Sequence, residues 1–378
     1  MSSSDPGTSL TQFLRSEIAE RGPIPFRDFM AAAMYHPEYG YYASGRAAIG
    51  RAGDFITNVS VGRMFGTLLA RQFVEMWARM GRPESFSLIE QGAHDGTLME
   101  DVLLGLQTFS PECLAAARPM IIEPTLVWRE KQAARLHAWP VQWTESVETL
   151  APITGIHYSN ELLDAFPVHL SRRGADVWFE VHVDWNSEGF QFTDQPLENA
   201  ELRARLNRIE VPTAYRTEVC LDASRWMETL GQKLTRGYVL AIDYGFSREE
   251  YYRPERNNGT LEAIASHRRE SDVLARPGEM DLTAHVDFTA LAEAARNSGL
   301  KIEGFTDQHH FLIGLAALHF PEGKQPSASD MRAFQTLAHP TMLGRSFKVF
   351  AAGRGVDASQ KLTGFLHARH ADVELGQT

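Results

Sequence analysis

The sequence predicts an α/β protein: an open, mainly parallel sheet with an N-terminal helical cap and an inserted region of hairpin and helix. Three observations predict it. Between residues 84 and 170, apolar runs of strand length alternate with amphipathic stretches of helical period. A buried-strand pattern, GYVLAIDYG, resumes this alternation after residue 235. Between the two, VWFEVHV and GFQFTD alternate at period two, as an antiparallel hairpin does.

The elements follow in order. Residues 1–8 are rich in Ser, Gly and Pro and read as a disordered tail. Residues 9–83 read as a helical cap and lid. Leu10, Phe13, Leu14 and Ile18 fall at helical spacing, FRDFMAAAMY follows a turn, and Ser60–Met80 is helical again until Gly81 and Pro83. Residues 84–170 form the first part of a Rossmann-like core: strand SFSLIE, helix 95–107, strand RPMIIEP, helix LVWREKQAARL, and short strands VQWTES and TGIHYSN. Residues 171–235 are the insertion, with a helix expected over 216–234. Residues 236–378 complete the core, with a long ordered loop at 246–286, a helix at 287–298 and late strands KIEGFTD and RSFKVFAAG.

Composition narrows the function. A net charge of −11 argues against a general nucleic-acid binder, because phosphate affinity needs clustered Lys and Arg. Cys113 and Cys220 stand outside any CxxC or zinc spacing, so neither a metal centre nor a disulfide framework is expected. No apolar run reaches the roughly 20 residues of a membrane helix, and MSSSDPGTSL has no signal-peptide pattern. A cytoplasmic protein is the default expectation, without a membrane partner.

Residues 87–103, SLIEQGAHDGTLMEDVL, carry the candidate binding turn. A strand ends in Glu90, Gly92 and Gly96 follow, and a helix begins. Glycines there let the backbone approach a ligand and take positive φ, and the helix N-terminus offers free N–H groups. The GxGxxG of a dinucleotide site is not matched, and no Walker lysine follows. Glu90 and Asp95 repel phosphate but suit a cationic amino-acid ligand such as S-adenosylmethionine. Glu123, at the end of the next strand, is placed to accept ribose hydroxyls. Trp143 to Val147 then flank an adenine. The bland alternative is an ordinary strand–turn–helix with a solvated acid at each strand end.

In its order of motifs the chain resembles the MidA-like family of S-adenosylmethionine-dependent methyltransferases. The matching segments, from about residue 22 to 353, are FMAAAMYHPEYGYY, GDFIT, LIEQGAHDGTLMEDVL, IIEP, SNELLDAFPV, IDYG, GTLEAIASH, PGEMDLTAHVDF and MLGRSFKVF. The resemblance implies a class I methyltransferase (Rossmann-like) fold and S-adenosyl-L-methionine as cofactor. It puts Glu90, Gly92 and Gly96 at the methionine end and Glu123 at the ribose. By analogy, Asp54 and Thr57 of GDFIT fold over the cofactor as a lid. The family's eukaryotic member is regarded as a protein arginine methyltransferase. The chain departs from the family where Ala93 replaces a Pro and His94 the middle Gly of the turn, at Asn58-Val59, and at Ile264. A side chain at His94 could narrow the cofactor site.

For the acceptor, SNELLDAFPV supplies Asn160, Glu161 and Asp164 just past a strand, Asn160 being also a candidate cofactor-binding residue. On a helical turn Glu161 and Asp164 share a face and make a carboxylate clamp for a guanidinium. The alternative has Asn160 capping a helix with Glu161 in its first turn. His285 of DLTAHVDF is a candidate base, against the commoner role of a packed histidine. The expected function is therefore methyl transfer, with protein arginine the favoured acceptor. A small-molecule methyltransferase is the second possibility, and a non-catalytic, partner-binding member is the third. Homodimerisation is an open expectation.

Overall fold

A computed structural model describes residues 6–43, 58–265, 268–320, 327–368 and 375–376. The chain divides into two compact units. The core unit comprises 56–162, 224–245 and 288–378, and the second unit 1–55, 163–223 and 246–287.

Among the described residues the core unit holds seven strands: β1 (Phe86–Gln91), β2 (Ala117–Ile122), β3 (Gln142–Thr144), β4 (Ile153–Asn160), β5 (Leu234–Phe246), β6 (Lys301–Asp307) and β7 (Phe347–Arg354). They lie in the order β6-β7-β5-β4-β1-β2-β3. β1 to β5 run parallel, and β7 is inserted antiparallel between β5 and β6. Parallel strands are covered on both faces, which is why β5 is a nearly continuous apolar run. Helices α1 (Met64–Arg79), α2 (Thr97–Phe109), α3 (Pro111–Ala116), α4 (Leu126–Arg135), α5 (Leu221–Lys233), α6 (Phe288–Asn297), α7 (Gln308–His319) and α8 (Ala328–Ala338) accompany them. Leu68, Phe73, Val102, Leu103, Ile156, Tyr158 and Phe347 belong to one buried apolar cluster around the sheet. Strand order reverses at β1, whose neighbours are β2 and β4, and ligands of such sheets bind at that reversal.

The second unit is built on antiparallel strands. Trp178–Asn186 pairs with Gly189–Pro196 in the expected hairpin, with His169–Arg173 on its other side and Arg216–Val219 beyond. Helices Pro6–Arg21 and Phe26–Tyr35 belong to this unit, as does a small sheet of Arg268–Glu270, Glu262–Ala265 and Asp281–Thr283.

The partition differs from the expected boundaries. The first helix begins at Pro6, inside the stretch read as a tail, because proline suits the first helical position. α1, expected in the cap, packs its Leu68, Leu69 and Phe73 into the core cluster. Residues 216–219 are a strand, and helix begins only at Leu221. The segment 246–286 belongs to the second unit and contains strands, too short to show a period in sequence.

Candidate functional site

The glycine turn closes the C-terminal end of β1. Gly92 and Gly96 both take positive φ, 79° and 84°, a region nearly closed to other residues. A Cβ on Gly96 would stand 3.0 Å from Leu136 Cδ1, so α4 and its end press directly on the turn. Asp95 accepts hydrogen bonds from Thr97 N (3.1 Å) and Thr97 Oγ1 (2.7 Å), satisfying one free N–H at the start of α2. Arg135 pairs with the same carboxylate at 2.7 Å, so the loop acid already has its cation.

Glu90 lies beneath the turn and is buried. The Tyr158 hydroxyl of β4 donates to it at 3.0 Å. Burial dominates over that hydrogen bond and pushes the acid up to about 8, with Asp95 and Asp101 adding to the shift. Such a group gains a proton when alone and gives it up to face a cation. Glu123, just past β2, is buried too, and burial raises its pKa. Thr125 N donates to its Oε1 at 2.9 Å and Gln132 Nε2 to its Oε2 at 3.2 Å. The Thr125 side chain bonds the same carboxylate, and since a carboxylate accepts about four hydrogen bonds it keeps room for a further donor. Buried acids, a turn of positive-φ glycines and a carboxylate with room for a further donor fit a nucleoside bearing a cationic amino acid.

His94 also has positive φ, 46°. Its ring packs at a tilt of 41° against Trp128 of α4, with centroids 4.3 Å apart. The substitution that threatened to narrow the turn is thus directed onto the helix behind it.

Asn160 ends β4, and its amide is engaged on both sides. Asn58 Nδ2 donates to its Oδ1 at 2.9 Å, and its own Nδ2 donates to Glu161 Oε1 at 2.7 Å. Gln308 Nε2 donates to Asn58 Oδ1 at 2.8 Å. The departure at Asn58 therefore has a structural use, tying the end of β4 to α7.

No helix follows Asn160. Glu161 adopts φ 54°, and bends and turns carry the chain to the next strand at His169. Both helix-based arguments are corrected: Glu161 and Asp164 do not share a helical face, and Asn160 caps nothing. Glu161 falls in the core unit, Asp164 and His285 in the second. Within the second unit the segments of these last two meet, through Ala284 N donating to Asp164 O at 2.9 Å. Asp164 is buried, which pushes its acid up to about 7. The His285 ring stacks on Phe246 at 5.2 Å, and burial holds it down at about 4. Its backbone N–H donates to Thr260 Oγ1 at 3.0 Å. Asp54 and Thr57 lie outside the described residues. No group of three or more His, Cys, Asp or Glu able to hold a metal occurs among the described residues.

Two polar residues escaped notice in the sequence. Glu218 is a buried strand acid that accepts from Thr260 N (2.9 Å) and Leu261 N (3.2 Å) and from the Thr260 and Tyr251 hydroxyls. It holds the turn that in turn holds His285. Gln132 is fully buried on α4, a helix whose charged outer face drew the attention. Its spacing of four from Trp128 was the available signal.

Residues 68–306 match a family model whose description reads "Putative S-adenosyl-L-methionine-dependent methyltransferase". The chain belongs to this methyltransferase family. It is similar to a Burkholderia thailandensis protein whose crystal structure holds S-adenosylhomocysteine, with TM-score 0.89, 31% identity and 97% of each chain covered. It is 29% identical to the Drosophila melanogaster mitochondrial protein arginine methyltransferase NDUFAF7 homologue, over 93% of this chain and 86% of the relative. To the human mitochondrial protein arginine methyltransferase NDUFAF7 it is 27% identical, over 97% and 87%. The expected fold and cofactor therefore stand: this is an S-adenosylmethionine-dependent methyltransferase of Rossmann-like fold. The expectation of a cytoplasmic protein is overturned, since these relatives are named as mitochondrial.

Proposed function

We propose that this methyltransferase acts on arginine side chains of a protein. The observation that carries the reading is collinearity with protein arginine methyltransferases over 93–97% of the chain. The cofactor supplies an activated sulfonium methyl group. On transfer, a nitrogen–carbon bond forms, the sulfur–carbon bond breaks, and the guanidinium nitrogen loses a proton. The protein must hold donor and acceptor in line and accept that proton.

In this proposal Glu90 faces the methionine end, Gly92 and Gly96 let the backbone close on it, and Glu123 takes the ribose. Asn160 keeps the end of β4 in place, and Asp54 and Thr57 are assigned to the lid. Glu161, Asp164 and His285 serve the acceptor. A carboxylate pairs well with a planar guanidinium. Of the proton acceptors, Asp164 near 7 is better matched to neutral pH than His285 near 4.

The test is transfer of labelled methyl from S-adenosylmethionine to arginine peptides and their lysine-substituted counterparts, with hydrolysis and amino-acid analysis. Methylarginine from the arginine set alone is the expected result. Label on lysine peptides equally, or on small molecules only, overturns the arginine assignment.

A further inference from the structure

Three pieces of the proposed cofactor site come from separate connections of the sheet: the glycine turn after β1, Glu123 after β2, and Trp143 within β3. All three meet at one side chain. Gln132 Nε2 donates to the His94 carbonyl at 2.8 Å and to Glu123 Oε2 at 3.2 Å. Gln132 Oε1 accepts from Trp143 Nε1 at 2.9 Å. The amide is fully buried, so water cannot replace a lost partner, and an unpaired group there is costly.

The amide can sit only one way. A backbone carbonyl accepts, and an indole N–H only donates. Turned over, Gln132 would set its oxygen against the His94 carbonyl and its NH2 against the Trp143 N–H. The network thus admits one orientation, and it fixes three things together. The His94 carbonyl is drawn toward α4, which orients the turn that Gly96 N closes onto Ala93 O at 2.7 Å. Oε2 of Glu123 is anchored here as Oε1 is by Thr125, which sets the carboxylate plane. The Trp143 indole is held on the adjacent strand.

We infer that Gln132 is a positioning residue that couples the glycine turn, the ribose-end acid and the adenine-side strand into a single preformed cradle for S-adenosylmethionine. This rests on the cofactor-site assignment above. Gln132 acts through Glu123, Trp143 and the turn, and need not touch the cofactor itself.

The experiment measures S-adenosylhomocysteine affinity by calorimetry, with the donor's KM and kcat beside it. Gln132→Met keeps volume but removes donor and acceptor. It raises both the product's Kd and the donor's KM by about tenfold and leaves kcat within about threefold, since only uniform binding is lost. In a Glu123→Ala background the same change costs less than about threefold, because the coupled partner is already gone. Trp143→Phe, which removes one of the three bonds, raises Kd by about threefold. A folded Gln132→Met with Kd within about twofold of the parent overturns the inference, and so does full additivity with Glu123→Ala. If Gln132→Met does not fold, Trp143→Phe decides, and an unchanged Kd overturns the coupling. A parent protein that itself binds no S-adenosylhomocysteine overturns the cofactor-site assignment, and the coupling with it.

Discussion

The core unit and the second unit follow different rules of construction, and the sequence discloses them unequally. Strands β1, β2, β4 and β5 are parallel and buried on both faces, so each reads as an apolar run. Their ends are marked by acids and glycines. The second unit relies on short antiparallel strands, three to five residues in several cases, organised by buried polar groups such as Glu218. Glu218 finds its partners at Thr260 and Leu261, more than 40 positions along the chain. Local periodicity carries no trace of such a bond. In the proposed function Glu90 and Glu123 serve the cofactor, and Asp164 and His285 the acceptor.

The sharpest test of that division is Asp164→Asn. Asp164 is the proposed proton acceptor, so its loss should reduce methyl transfer about 100-fold, roughly 3 kcal/mol of barrier, while the Kd for S-adenosylhomocysteine stays within about twofold. An equal loss of binding would break the division. Glu123→Ala is the converse. Removing a buried acceptor in the core unit should weaken S-adenosylhomocysteine by about tenfold, near 1.4 kcal/mol. Unchanged affinity would remove Glu123 from the cofactor site.

A smaller effect concerns pH. Glu90 is a buried acid raised from 4.5 to about 8 by desolvation. Below 4.5 it is protonated whether the chain is folded or not. Between 4.5 and about 8 the unfolded chain releases a proton that the folded chain keeps, so Glu90 makes stability fall as pH rises. Glu90→Gln removes that part of the slope. Thermal unfolding of both proteins at pH 6 and 8.5 should show the variant gaining on the parent at the higher pH. A difference independent of pH would mean that Glu90 is ionised in the free protein.

How far the site could be read from sequence follows the same contrast. Glu90, Gly92, Gly96 and Glu123 stand out as candidates because strand end, turn and strand end succeed one another locally. Gln132 was missed because α4 displays its charges outward while its one buried amide bonds to residues on three other segments. The helix expected after Asn160 failed at a single residue. Glu161 takes a left-handed backbone, which sequence propensity disfavours for any residue but glycine, asparagine or aspartate.

The smallest expected effect is at His94, where the sequence suggested the largest doubt. His94→Gly removes a ring contact with Trp128 and a contact with the already paired Asp95 carboxylate at 3.8 Å, and relieves a non-glycine residue at φ 46°. An aromatic pair contributes roughly 0.5–1.5 kcal/mol, and a left-handed backbone costs roughly 1–2 kcal/mol outside glycine. The two terms nearly offset each other. The Gln132 bond to position 94 uses the backbone carbonyl, which glycine retains. Stability should therefore change by less than about 1 kcal/mol and S-adenosylhomocysteine affinity by less than about threefold. An affinity gain of about tenfold would show instead that the imidazole swings off Trp128 and occupies the turn. His94 would then limit cofactor entry, and the core unit would owe part of its selectivity to a residue that replaces the family's glycine.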